Sequence, residues 1–389
     1  MLLLALLATS IHADFEGGSL GKVEYVSEGH YRSAVRGETD QDKRNRQASW
    51  YYFRVDGAAG KPTTIDLVDL PGEYNYAPNR GAITKDTIPV YSEDGRAWQH
   101  FSKTEYNSQV PYLRLRFTPK SNRFWIAHVP PYTNRNLANL LRPNPNMHRQ
   151  VIGKSAGQRD LDLLTITDPA VPEEAKRVVW LMFRQHSWEA GSSWVGEGAI
   201  RFLLSPEADA IRRTTIFKIF PMCDPDGVAR GGVRFNANGY DLNRNWDVAD
   251  AKLMPEIAAQ RRAILEWIDS GKRIDLFLTL HNTETSEYLD GPPGPEVAAM
   301  TQRLYEALKD RTTFAPSRAP RVMERTTTAR KPGRMSVVQG LYQDRKIKAF
   351  LMEQRISFNS KLGHLPTIDD RLAFGEQLVR ELAEQARRD

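Results

Sequence analysis

The chain has 389 residues, 40% hydrophobic and 26% charged, with 54 Lys and Arg against 48 Asp and Glu for a net charge of +6. Such a balance belongs to a globular protein large enough for two cores, and it excludes a disordered or fibrous chain. Basic residues are dispersed, so nucleic acid is not an indicated partner. The one cysteine, Cys223, excludes an intramolecular disulfide and leaves His, Asp and Glu as metal ligands.

Met1 to Ala8 is an apolar run followed by small residues up to Ala13. This is the pattern of a secretory leader over residues 1–13, too short to insert stably in a membrane. No Lys or Arg stands near its start, which keeps a cytoplasmic location as the alternative to a periplasmic or secreted one. Over residues 14–130, short β-type runs (Trp50 to Val55, Thr63 to Leu70, Tyr112 to Phe117, Arg123 to Val129) are punctuated by Gly, Pro, Asn and Asp. They predict a small antiparallel β-sandwich domain. His30, His100 and His128 fall there without ligand spacing and read as surface or structural histidines.

From residue 131 to 389 helical and strand patterns alternate. Helices are expected over Tyr132 to Leu141, from Glu197 to Leu204, over Pro255 to Ser270 and over Arg371 to Ala386. Strands are expected over Arg159 to Ile166, Val178 to Phe183, Ile216 to Phe220, Ile274 to Leu280 and Lys348 to Met352. That alternation predicts an α/β domain with a mixed, mostly parallel sheet and helices on both faces.

Chemistry gathers where these strands end. Val178 to Phe183 lacks alternation, reads as a strand buried on both faces, and runs into His186 and Glu189. One such pair is common by chance. The next strand leads into Pro221 to Gly227, another ends at His281, and the last ends at Glu353. Separately, His281 could satisfy a backbone carbonyl and Glu353 could cap its strand. Together, on the carboxyl rim of one sheet, they supply His, Glu and His for one Zn²⁺ and a further carboxylate for acid–base work.

Gly231 to Trp246 is dense in Asn, Arg and Gly. Asn243 and Arg244 suit a substrate carboxylate, Arg234 a developing oxyanion, and Asp241 the second ring nitrogen of a zinc-bound histidine. The densest basic stretch holds Arg318, Arg321, Arg325, Arg330, Lys331 and Arg334. It reads as an electropositive lip for an acidic substrate or as a solvated loop.

HSWE at 186–189, DPDG at 224–227, the segment from Arg234 to DLNRNW ending at Trp246, His281, and MEQR at 352–355 resemble the zinc metallocarboxypeptidases. WYYFRV, LPGEYNYAPN, VYSEDGRAW and FWIAHVPPYT resemble the amino-terminal sandwich of the cytosolic carboxypeptidase branch. The resemblance implies hydrolysis of the last peptide bond of peptides or proteins. It implies His186, Glu189 and His281 as zinc ligands and Glu353 as general base and acid toward a zinc-activated water. It also implies Arg234 at the oxyanion, Asn243 and Arg244 on the terminal carboxylate, and Asp241 behind the first zinc histidine. Asp224 departs from the family's usual Asn. No tyrosine stands in Thr326 to Arg334, where digestive members carry a substrate-capping one, and Tyr342 is not assigned that role. Arg334 or Lys331 would give a preference for acidic terminal residues. A zinc amidase acting on cell-wall peptides or acylated amino acids, and a non-catalytic peptide-binding module, are the alternatives.

Overall fold

A computed structural model describes residues 9–323 and 333–388. Met1 to Ala8 of the expected leader, and Arg325, Arg330 and Lys331 of the basic stretch, lie outside the described residues. The chain divides into two compact units, one comprising the chain up to Pro131 with Gly227–Val233, the other Tyr132–Asp226 with Arg234 onward.

In the first unit two five-stranded sheets share a core that includes Tyr51, Phe53, Ile65, Leu67, Leu113, Leu115, Phe124 and Ile126. The period of two is visible in Tyr112–Phe117, where Leu113 and Leu115 are buried and Arg114 and Arg116 are not. Ser10–His12, inside the expected leader, pairs antiparallel with Tyr52–Asp56 as a strand of the first sheet. One seam of the second sheet departs from an antiparallel sandwich: His30–Ala34 runs parallel to Thr63–Val68. Between them the chain passes through Tyr52–Asp56 in the other sheet, and a return by that route arrives in the same direction. His30 is bound to Asp66 at 2.9 Å, and His128 is buried, its pKa pushed down to about 3 by burial. Both are structural histidines.

The second unit is built on eight strands: β1 (Met147–Lys154), β2 (Asp160–Ile166), β3 (Arg177–Phe183), β4 (Thr215–Phe220), β5 (Leu276–Thr283), β6 (Tyr288–Gly291), β7 (Arg321–Val322) and β8 (Ala349–Arg355). Their order is β1-β2-β4-β3-β5-β8-β6-β7. The central four, β4, β3, β5 and β8, are parallel, and β1, β2 and β6 join antiparallel. The main helices are α1 (Ala190–Leu204), α2 (Pro255–Asp269), α3 (Pro295–Arg311), α4 (Val337–Arg345) and α5 (Ile368–Arg387). Val179, Leu181 and Phe183 of β3 pack among buried residues of α1, α3 and α5, whereas Val178, Trp180 and Met182 pack among those of α2 and α4. Burial on both faces is why this strand shows no alternation; each such side chain contributes roughly 1.5–3 kcal/mol. α1 and α5 meet backbone to backbone: a Cβ on Gly198 would lie 2.1 Å from the Leu372 carbonyl oxygen, and one on Gly375 2.2 Å from that of Val195.

Several element boundaries differ from those expected. β5 and β8 continue past Leu280 and Met352, because their pairing runs on to Thr283 opposite Arg355. His281 and Glu353 therefore lie within strands rather than after them. α1 begins at Ala190, seven residues before Glu197, and α5 begins behind the Thr367 capping box. α3, α4, β1, β6 and β7 have no counterpart in the expected elements. β6, of four residues, and β7, of two, are too short to carry a readable period.

Candidate active site

β3 ends at Phe183, and Arg184, at φ +59°, turns the chain into the loop that carries His186 and Glu189. The Arg184 side chain is buried and braces this loop. Nε and Nη2 donate to the Ser187 carbonyl at 2.9 and 2.7 Å, and Nη1 donates to Ser193 Oγ at 3.0 Å. Burial lowers its pKa to about 10, opposed by the charges of Glu189 and Asp224. The Asp224 N–H donates to the Arg184 carbonyl at 3.2 Å. Cys223 beside it is a buried thiol whose pKa is raised by burial.

Gly191, Ser192 and Ser193 resemble helix breakers, yet they form the first turn of α1. The Ser192 N–H donates to Asn282 Oδ1 at 2.8 Å, and its hydroxyl donates to the Glu189 carbonyl at 2.8 Å. Tertiary bonds override propensity here. Glu189 holds the N-cap position without capping, so its carboxylate is turned to the histidines.

Glu189 Oε1 lies 2.6 Å from His186 Nδ1 and Oε2 lies 2.9 Å from His281 Nδ1, with the two Nδ1 atoms 3.3 Å apart. All three residues are buried. Each imidazole has its Nε2 engaged elsewhere: His186 on Asp241 Oδ1 at 3.0 Å, His281 on Gln185 Oε1 at 3.0 Å and Thr279 Oγ1 at 3.1 Å. With Nε2 opposite acceptors, both Nδ1 lone pairs converge with the carboxylate on one point. Burial would raise the Glu189 pKa, but the two imidazoles hold it at about 2. Burial would likewise raise Asp241, and Arg234 and His186 hold it well below the carboxylate range. Two imidazole nitrogens and one carboxylate, each imidazole supported from behind, fit one zinc ion.

Glu353 stands directly opposite His281 in the parallel pairing of β5 and β8, so both side chains leave the same face of the sheet. Its Oε2 is covered and has no hydrogen-bond partner among the described residues. Burial, then the charge of Glu189, raises its pKa well above that of an ordinary glutamate, with Arg234 opposing.

Arg234 donates from Nε to Asp241 Oδ2 at 2.8 Å, so Asp241 joins it to His186. Burial works against the Arg234 charge, and Asp241 and Glu189 more than offset it. Asn243 is buried. Its Oδ1 accepts from the Val337 N–H at 3.0 Å, and its Nδ2 lies 3.4 Å from His281 Nε2. Arg244, half-buried beside it, donates from Nη1 to the Asn243 carbonyl at 2.7 Å.

The end of the basic stretch is laid against this loop. Asp247 accepts from the N–H groups of Gly333 and Met335 at 2.8 and 3.3 Å, and the Trp246 N–H donates to the Met335 carbonyl at 3.1 Å. Between those anchors Arg334 has its Nε covered, without a partner among the described residues. Arg318 is committed elsewhere, paired through both Nη atoms with Asp290 at 2.7 Å and lying 3.9 Å over the Tyr288 ring. The Tyr342 hydroxyl donates to Glu296 at 2.5 Å.

Residues 133–290 match the zinc carboxypeptidase family, and residues 11–129 match the cytosolic carboxypeptidase N-terminal domain. The chain thus joins a segment similar to zinc carboxypeptidases to one similar to the cytosolic carboxypeptidase N-terminal domain. Cytosolic carboxypeptidase 6 of Mus musculus is 30% identical over 70% of this chain, which spans about half, 53%, of that relative. The fold is that of the metallo-carboxypeptidase of Burkholderia cenocepacia, with a TM-score of 0.82 at 21% identity over 98% of this chain and 99% of that one. It is also that of the Pseudomonas aeruginosa metallo-carboxypeptidase solved with (2-guanidinoethylmercapto)succinic acid, with a TM-score of 0.78 at 22% identity over 97% and 100%.

Four further residues lie at the site without a signal along the chain: Arg184, Gln185, Thr279 and Glu284. Arg184 and Gln185 flank His186 in its loop. Thr279, two residues before His281 on one strand, shares its face. Glu284, three residues after His281, is raised in pKa by burial and by Glu189. It lies in the same electrostatic field as the metal cluster.

Proposed function

We propose that the protein is a zinc carboxypeptidase that releases single residues from the carboxyl ends of peptides, with Glu353 as general base and then general acid. The observation that carries this reading is the covered Glu353 Oε2, without a hydrogen-bond partner among the described residues and in register with His281 beside a His–Glu–His cluster. A covered carboxylate oxygen without a hydrogen-bond partner costs a fold stability and suits a group that moves a proton.

In this reading His186 Nδ1, Glu189 and His281 Nδ1 hold the zinc, which when bound supplies Lewis acidity and an acidified water. Arg244, with the Asn243 amide beside it, grips the terminal carboxylate and sets the register of the last peptide bond. Arg234, held by Asp241, presents its cation to the oxygen that gains charge as the carbonyl becomes tetrahedral. Glu353 takes the proton of the attacking water and returns it to the amide nitrogen as the C–N bond breaks. Arg244→Ala therefore raises KM about 10- to 100-fold, the worth of a charge-assisted contact, and leaves kcat within a few-fold. An unchanged KM with a collapsed kcat would overturn the clamp assignment.

A preference for acidic terminal residues is supported by Arg334, a half-buried cation with its Nε covered, on the segment anchored to Asp247 and Trp246. Arg334→Ala is expected to lower kcat/KM on a peptide ending in Glu by about tenfold or more while leaving one ending in Leu unaffected. Equal losses on both would remove Arg334 from the pocket. For location, the apolar run Met1 to Ala8 supports export, and no described helix is long and apolar enough to cross a membrane. The strand Ser10–His12 supports a mature chain that keeps those residues, which sequencing the mature amino terminus decides.

A further inference from the structure

Gln185 is wholly buried, and its amide has only one orientation that its neighbours allow. Nε2 lies 2.8 Å from the Leu242 carbonyl, which can only accept, so the NH₂ group faces Leu242 and Oε1 faces the other way. There Oε1 receives the Thr279 hydroxyl at 2.9 Å and stands 3.0 Å from His281 Nε2. The Asn243 Nδ2 atom, 3.4 Å from the same nitrogen, is a donor and cannot substitute for it. An acceptor at that point places the His281 proton on Nε2 and leaves the Nδ1 lone pair toward Glu189. His186 obtains the same service from the carboxylate of Asp241; His281 obtains it from a neutral amide.

We propose that Gln185 is a positioning residue with two tasks: fixing the His281 tautomer for metal binding, and tying the metal site to the carboxylate-gripping loop. The second task follows from its donor end, because Leu242 lies between Asp241, which serves His186 and Arg234, and Asn243. The inference rests on the reading of His281 as a zinc ligand.

The test is zinc affinity of the full chain, measured by chelator competition and independent of hydrolysis, for wild type, Gln185→Leu, Gln185→Glu and His281→Ala. Gln185→Leu removes the acceptor and weakens zinc binding about 10- to 100-fold. Gln185→Glu keeps an acceptor against Nε2 and holds affinity within about threefold, while losing the donor to Leu242, so KM for peptide rises. That rescue is not expected of a residue that merely fills space, and it decides the matter even where Gln185→Leu does not fold. Wild-type affinity in Gln185→Leu, or equal weakening in both Gln185 variants, overturns the proposal. Unchanged affinity in His281→Ala would instead overturn the ligand assignment beneath it.

Discussion

Glu353→Gln in the zinc-loaded protein is expected to lower kcat by about 10²–10⁴-fold with zinc content unchanged. The amide matches the carboxylate in shape but cannot take a proton from water. Because Glu353 lies on β8 in register with His281, without itself belonging to the metal cluster, the ligand set is untouched. The raised Glu353 pKa has a stability consequence. With its folded-state pKa raised, Glu353 favours folding below the unfolded-state value, and this contribution is lost as pH rises through the folded-state value. In zinc-free protein at neutral pH, Glu353→Gln should therefore be more stable than wild type, by about 1–3 kcal/mol for a buried unsatisfied group. The difference should vanish below about pH 4 in thermal melts. Equal melting of the two proteins at both pH values would show that Glu353 Oε2 is solvated.

His186→Ala is expected to abolish both zinc retention and hydrolysis. Two nitrogens and one carboxylate are the minimum set that leaves a position open for water, and losing Nδ1 leaves Glu189 and His281 alone. It also leaves Asp241 buried opposite nothing but Arg234 and its own loop. Metal analysis after desalting gives the first readout. Thermal melts give the second, since wild type gains about 4 kcal/mol when free zinc is a thousandfold above Kd, and a variant that does not bind gains none. Zinc-dependent stabilisation persisting in His186→Ala would place the metal elsewhere.

The strand that organises the second unit was legible because β3 is apolar on both faces, and the same pattern located β4, β5 and β8. His186, Glu189, His281 and Glu353 could be collected on one rim because parallel strands deliver their carboxyl ends together. What composition and period could not show was how far β5 and β8 extend, since Asn282, Thr283, Gln354 and Arg355 are polar and only mutual pairing keeps them in strands. The start of α1 was hidden for a related reason: Ser192, a poor helix former, is held in the first turn by Asn282, ninety residues away along the chain. Gln185 and Thr279 were invisible as a pair because nothing along the chain links residue 185 to residue 281. The parallel seam in the first unit depends on a crossover that strand patterns do not encode.

The most direct test is a mass-spectrometric time course of the zinc-loaded protein on peptides that differ only in their last residue, with Glu353→Gln alongside. Stepwise loss of single carboxyl-terminal residues by wild type alone, fastest from peptides ending in Glu or Asp, is the predicted result. Intact peptides after prolonged incubation with zinc still bound, or cleavage at equal rates by Glu353→Gln, would contradict it.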